Sequence, residues 1–245
     1  MDPGCKLRLC GVLFLAGALS ACPTRPPAPP APLRSPAVVP PAAARIGRPY
    51  DLDAQQSLLT VLVYRGGALS SAGHNHVIAS HGLTGSVYLP PELGAASFEV
   101  HVPVASLTVD EAQLRAAQSA ADFPPDVSDG AREGTRRNML SAAVLDAAEY
   151  PEVVLRCARL EGAPNPPAGD ATAPIDTDVR GRVHTLRVPL HYELAGDTLT
   201  VTGEMALRQS ELGLTPFTAL LGALAVEDEM RVSFRIVARA APLGH

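Results

Sequence analysis

From about residue 50 onward, apolar and polar residues alternate with a period of two in short runs separated by Gly, Pro and Asp turns, the pattern of half-buried strands. Residues 57–64 are β-rich and stop at Arg65-Gly66-Gly67. Residues 73–89 open on a Gly turn, crowd His74, His76 and His81 together, and continue as a strand whose odd positions Val77, Leu83, Val87 and Leu89 are expected on one face. Residues 97–104 set Phe98, Val100, Val102 and Val104 against Glu99 and His101. Further strands are predicted over 152–160, over 187–193 (Val188, Leu190 and Tyr192 on one side), over 198–207 (Leu199, Val201, Met205 and Leu207) and over 230–238 (Val232, Phe234 and Ile236 inward). Residues 162–178, rich in Pro, Ala and Thr, read as a loop.

Two segments between these strands, 110–122 and 131–148, have helix-forming composition. Asp110 is placed to cap the first, with Glu111 in its first turn; Leu140, Val144 and Leu145 form an apolar stripe on the second, downstream of Arg132, Arg136 and Arg137. Tyr150-Pro151 ends it. Seven or eight hairpin-spaced strands with two helices inserted midway predict an all-β dominated fold, an antiparallel β-barrel with a helical insert. Closure removes the sheet edges that otherwise invite aggregation. A barrel of that size is either packed solid or holds one small ligand.

The N-terminal region has a different texture. Lys6 and Arg8 precede an apolar run, 9–19, too short to span a bilayer, so residues 1–21 read as a secretory signal peptide. The run ends Leu19-Ser20-Ala21-Cys22, which resembles the lipobox of bacterial lipoproteins. The resemblance implies cleavage before Cys22, diacylglyceryl modification of its sulfur, and a lipoprotein held by its acyl chains to a membrane of a Gram-negative-type envelope, on the periplasmic side. Residues 22–49, rich in Pro and Ala, cannot bury a core and read as a disordered tether, leaving 50–240 as the barrel domain.

Composition narrows the chemistry. A net charge of -5 and a pI near 5.8 give no basic field for nucleic acid. Lys6 is the only lysine, which removes Schiff-base and phosphate-loop lysine chemistry from the mature chain. Of four cysteines, Cys5 and Cys10 fall in the signal and Cys22 is the anchor; Cys157 is left alone, without a disulfide partner, in a strand where a buried structural thiol is expected. There is no Gly-x-Ser-x-Gly elbow and no His-Glu-x-x-His, and Glu227, Asp228 and Glu229 fall in a polar turn where solvated charge is the expectation. No catalytic residue is assigned, and binding is expected rather than catalysis.

Near the C-terminus, Gln209-Ser210-Glu211-Leu212-Gly213-Leu214, then Gly222, Val226-Glu227-Asp228-Glu229-Met230 and a last alternating strand, resemble the end of the YceI-like family. Tyr50-Asp51-Leu52-Asp53, Gly85, Leu107-Thr108, Asp122-Phe123 and Glu149-Tyr150-Pro151-Glu152-Val153 agree in order with earlier parts of that family, so the likeness runs over about 50–240. It implies a lipocalin-like antiparallel barrel whose apolar tunnel binds a long isoprenoid chain, such as a quinone tail or a polyprenyl lipid. The chain departs from the family at Gly73-His74-Asn75-His76, where an aromatic usually follows the Gly, and at a shortened turn, Arg182-Val183-His184-Thr185-Leu186.

The candidate ligand-binding wall is mainly aliphatic: Val61, Val63, Val87, Val100, Val102, Leu190, Tyr192, Met205, Leu207 and Phe234. No cofactor is expected beyond such a lipid. Two alternatives stand beside it. His74 and His76, two apart in a strand, point the same way and with His81 would offer imidazoles to Zn²⁺ or Cu²⁺, making a metal-binding envelope protein. A filled barrel would instead make a ligand-free envelope scaffold or stress protein. A homodimer is left open by the sequence.

Overall fold

The computed structural model describes residues 45–162 and 167–242; the expected signal peptide over 1–21, Cys22 and all but the end of the expected tether lie outside them. The strands are β1 (Arg48–Leu52), β2 (Leu58–Gly66), β3 (His76–Ser80), β4 (Thr84–Leu89), β5 (Ser97–Pro103), β6 (Thr108–Val109), β7 (Glu152–Cys157), β8 (Ala168–Val179), β9 (Arg182–Ala195), β10 (Thr198–Arg208), a two-residue β11 (Thr218–Ala219) and β12 (Leu224–Ala240). Every pairing among them is antiparallel. β1 pairs with β4, β4 with β5, β5 with β7, and the order continues through β8, β9, β10 and β12. β12 then pairs back onto β1, with Tyr50 opposite Ala240, which closes an eight-stranded barrel.

The seventeen-residue β12 is long enough to serve two partners on one edge, β2 along its first half and β1 at its end. β1 and β2 are thus one wall strand interrupted at residues 53–57, where Ser57 turns its hydroxyl to the Val237 carbonyl and accepts the Val237 N–H. β3 and β4 are likewise one wall strand broken at His81-Gly82-Leu83. This break corrects the expectation that Val77, Leu83, Val87 and Leu89 share a face. Ile78 is on the inner face before the break and Val87 after it, so even positions hand over to odd ones. Val77 faces outward and packs with Leu62 and Phe123. Gly85, just after the break, sits at φ 140°, and a Cβ there would lie 2.1 Å from the Glu99 carbonyl oxygen, so β4 and β5 close together only over a glycine.

The segment expected as a loop over 162–178 is, from Ala168, the twelve-residue β8. Its alternation is complete, with Ala171, Ala173, Ile175, Thr177 and Val179 buried, but small residues and Pro174 mask it. Thr172 exchanges both backbone hydrogen bonds with Glu161, so the missing N–H of Pro174, two residues on, points to that same side, where no strand is paired at this level.

The insert between β6 and β7 carries α1 (Ala112–Ala116) and α2 (Asp129–Leu140). Both are shorter than expected. α2 begins at Asp129 because the Ser128 hydroxyl accepts the Ala131 N–H, and residues after Leu140 form turns rather than helix. Asp110 does not cap α1: its backbone is left-handed, φ 54°, and its carboxylate is turned into the protein. The α2 arginines are tied locally, Arg136 to the carbonyls of Ala105 and Leu107, Arg132 to Asp129 and the Val127 carbonyl, and Arg137 to Glu133. Among the described residues no helix is long and apolar enough to cross a membrane.

Candidate functional site

Directly opposed residues of adjacent strands share a face of the sheet, so the register traces belts of side chains round the barrel. One belt runs Val109, Ile78, Val61, Val232, Met205; the next runs His76, Val63, Met230, Leu207. Another runs Gly85, Val100, Leu155, Thr177, His184. Tyr50, Val87, Cys157, Ala171, Leu190, Leu199 and Ala238, drawn from seven different strands, are packed in one apolar cluster. Strands on opposite sides of a closed ring meet only across its interior, so this face is the lumen.

All ten candidate wall residues, Val61, Val63, Val87, Val100, Val102, Leu190, Tyr192, Met205, Leu207 and Phe234, lie on this inner face. They are not equally covered. Val87, Val100, Val102, Leu190, Tyr192 and Leu207 are buried, whereas Val61, Val63, Met205 and Phe234 are half-buried, as are their inner neighbours Val201, Val232 and Ile236. The half-buried set falls on three adjacent wall strands, β2, β12 and β10. Phe98, Leu155, Leu186 and Leu194, inward on β5, β7 and β9, are half-buried as well, so partly accessible apolar side chains occur round the lumen, with the largest group on the β2, β12 and β10 side.

The same side has an incomplete seam. The β9–β10 ladder runs from Ala195 opposite Thr198 to His191 opposite Thr202 and stops there. Thr172 directs its N–H away from β9, so its partner Pro189 would have directed a backbone N–H toward β10, and proline has none. A groove of about 710 Å³ lies astride this seam, with outward residues such as Asp170, His191 and Glu204 on its sides and Gly203 and Phe234 in its lining. Gly203 is required there: a Cβ would sit 2.4 Å from the Phe234 ring and 2.7 Å from the Pro189 carbonyl oxygen.

At one end of the barrel the turn Gln209–Leu212 follows β10 and is tied to β12. Gln209 donates to the Glu227 carbonyl at 2.7 Å, and Ser210 donates both its N–H and its hydroxyl to Asp228, at 2.8 and 2.6 Å. Those bonds from Ser210 hold the Asp228 carboxyl below its ordinary range. Thus the acidic residues 227–229 are not a free polar turn: they belong to β12, at an irregularity between Val226 and Met230. Gly213 follows in the left-handed region, φ 66°, with its α-carbon face against the His184 ring.

At the same end the insert is clamped to the barrel by a buried charged cluster. Asp110, its side chain wholly inaccessible, accepts from His76 Nδ1 at 2.6 Å, the Val77 N–H at 2.9 Å and Arg115 at 2.7 Å. Arg115 donates further to the carbonyls of Asn75 and Pro124 and lies over the Phe123 ring. Burial pushes the Asp110 carboxyl up, and the His76 and Val77 hydrogen bonds with the charges of His76 and Arg115 outweigh it, so its pKa is lowered. Sequence patterning missed this cluster: Asp110 and Arg115 have the residue types of an ordinary helix start.

The cluster corrects the metal expectation. His76 Nε2 is paired with the Thr135 hydroxyl at 3.0 Å, so both ring nitrogens of His76 are engaged. The His74 ring centroid is 6.1 Å away, and His81 turns to Glu111. His74 is exposed overall, and partial desolvation of its ring together with neighbouring positive charge on His76, Arg115 and Arg65 lowers its pKa. Among the described residues no group of three His, Cys, Asp or Glu side chains stands close enough to hold a metal ion. His101 and His191 face outward, against Glu99 and Glu152 and against Asp170. Cys157 is buried in the lumen cluster, where its thiol donates to the Arg159 carbonyl, and burial pushes its pKa up.

Against known proteins, the family model of the YceI-like domain matches residues 50–238. Among solved structures, a polyisoprenoid binding domain from Saccharophagus degradans, implicated in plant cell wall breakdown, aligns with a TM-score of 0.54 at 12% identity, covering 78% of this chain and 98% of that one. BcnA of Burkholderia cenocepacia aligns with a TM-score of 0.54 at 16% identity, covering 76% and 99%. Among curated proteins none matches.

Proposed function

Since the chain belongs to the YceI-like domain family, we propose that it binds or carries a long isoprenoid-like lipid in its barrel, and that it does so as an acylated, membrane-anchored protein of the periplasm. The observation that carries the binding reading is the inner face along β2, β10 and β12, whose mainly aliphatic side chains are only half-buried and lie next to an unzipped seam. The Saccharophagus degradans domain of the same fold, described as polyisoprenoid binding, supports it. Binding would be driven by apolar burial, at about 25 cal/mol per Å² removed from water, with no need for a charged partner along the tail. The groove at Pro189 and Gly203 would be the side entrance through which a tail reaches the lumen. The anchor rests on the Leu19-Ser20-Ala21-Cys22 motif and the proline-rich segment after it. Acyl chains on Cys22 would keep the barrel beside the membrane from which such lipids are drawn.

Affinity measured against polyprenols of increasing length tests the proposal. Long ligands gain about 0.3 kcal/mol per non-hydrogen atom, so each added isoprene unit should tighten binding roughly tenfold until the lumen is full. Affinity independent of chain length would contradict it.

A further inference from the structure

The inner face is not apolar throughout. Thr177 Oγ1 and His184 Nε2 are buried and, among the described residues, have no hydrogen-bond partner. They stand directly opposite one another across β8 and β9, in the belt that continues to Leu155 and Val100. Thr177 is only 4% exposed. Gly213, at the end of the turn after β10, packs on the imidazole so closely that a Cβ there would be 3.0 Å from both Cε1 and Nε2. His76, the other inner-facing histidine of the belts traced above, has both nitrogens engaged. Ser80, also buried and unpartnered, stands apart on β3.

Buried polar groups in folded proteins are almost always hydrogen-bonded, and leaving one unsatisfied carries a penalty comparable to a lost hydrogen bond. Two such groups adjacent on one face of an apolar lumen mark a place where a polar atom from outside the chain is received. We propose that Thr177 and His184 form the head-group subsite of the barrel and take a neutral oxygen, a hydroxyl or carbonyl, at the end of the lipid whose tail fills the aliphatic half. This rests on the lipid-binding function proposed above. The Thr177 hydroxyl can donate and accept, and His184 Nε2 donates or accepts according to its tautomer, which matches an alcohol or a quinone-type carbonyl. An anionic head buried here would need a charge partner, and neither group supplies a fixed one.

The test uses the full chain and two probes, a long polyprenol and the hydrocarbon that carries hydrogen in place of its hydroxyl, in equilibrium binding. The parent should prefer the alcohol by about three- to tenfold, the range of one or two neutral hydrogen bonds. Thr177→Val, which removes the hydroxyl at constant shape, should abolish much of that preference while leaving hydrocarbon affinity and thermal stability at or above the parent level, because it deletes an unsatisfied group. His184→Leu should also lose the preference, and His184→Gln should retain part of it. Equal binding of both probes by the parent would overturn the subsite while leaving lipid binding intact, as would a preference undiminished in Thr177→Val. Binding of neither probe would overturn lipid binding itself, and the subsite with it.

Discussion

Asp110 Oδ2 accepts a hydrogen bond from His76 Nδ1 at 2.6 Å across a sequence separation of 34 residues. The bond joins the barrel wall to the first residues of the helical insert, and Arg115, its side chain 3% exposed, completes the clamp from α1. Removing one member of a buried ion pair leaves the other uncompensated, so Asp110→Ala should destabilise by about 3–5 kcal/mol in denaturant titration. Asp110→Asn keeps a residue that tolerates left-handed backbone and isolates the charge. The Asp110 pKa is lowered in the folded state, so its stabilising contribution is present above the unfolded carboxylate value of about 3.9 and lost as pH falls through the lowered folded value. The stability gap between parent and Asp110→Asn should therefore be full at pH 7 and shrink below about pH 4.

The same clamp bears on metal. His76→Ala should lower stability while elemental analysis of the purified protein shows the same zinc and copper content as the parent, because both ring nitrogens already have partners within the chain. Stoichiometric metal lost on that substitution would contradict the arrangement.

Gly203→Ala puts a methyl group where the Phe234 ring and the Pro189 carbonyl already are. Overpacking of this kind costs about 1–3 kcal/mol. It should also weaken polyprenol binding, since Phe234 must move within the lumen or close the groove. Phe234→Leu in the Gly203→Ala background should recover stability, which a denaturation midpoint reads directly.

Cys157 reports on the lumen. Its thiol is raised by burial, lies 1% exposed in the apolar cluster and donates to the Arg159 carbonyl, so little of it is thiolate near neutral pH. Reaction with an aromatic disulfide reagent should be slow in the native protein and complete on unfolding in denaturant. Prompt modification without denaturant would contradict the burial.

Much of this architecture was legible in the sequence because large apolar residues alternate along the strands: Phe98, Val100 and Val102, or Val232, Phe234 and Ile236, announce an inner face without help from tertiary structure. β8 was not legible, since Ala171 and Ala173 carry too little apolar surface to stand out and Pro174 reads as a breaker until its open flank is known. The face change between Ile78 and Val87 was hidden because the handover falls within His81-Gly82-Leu83, and Val77, Leu83 and Val87, all apolar at odd positions, read as one unbroken stripe. The histidine cluster misled for a related reason: spacing placed His74 and His76 on one side of a strand, but β3 begins only at His76, and Asp110 comes from a distant segment. Thr177 fell in a segment read as a loop and His184 in one read as a turn, and only their pairing inside the ring shows two buried atoms without a hydrogen-bond partner among the described residues.

The proposed function rests on an apolar lumen able to hold an isoprenoid-like lipid. Organic extraction of the full chain purified from its native source without added lipid, followed by mass spectrometry, tests it most directly. A long isoprenoid with a neutral oxygen head, near one per protein, is the result expected. Repeated recovery of lipid-free protein with its fold intact would contradict it.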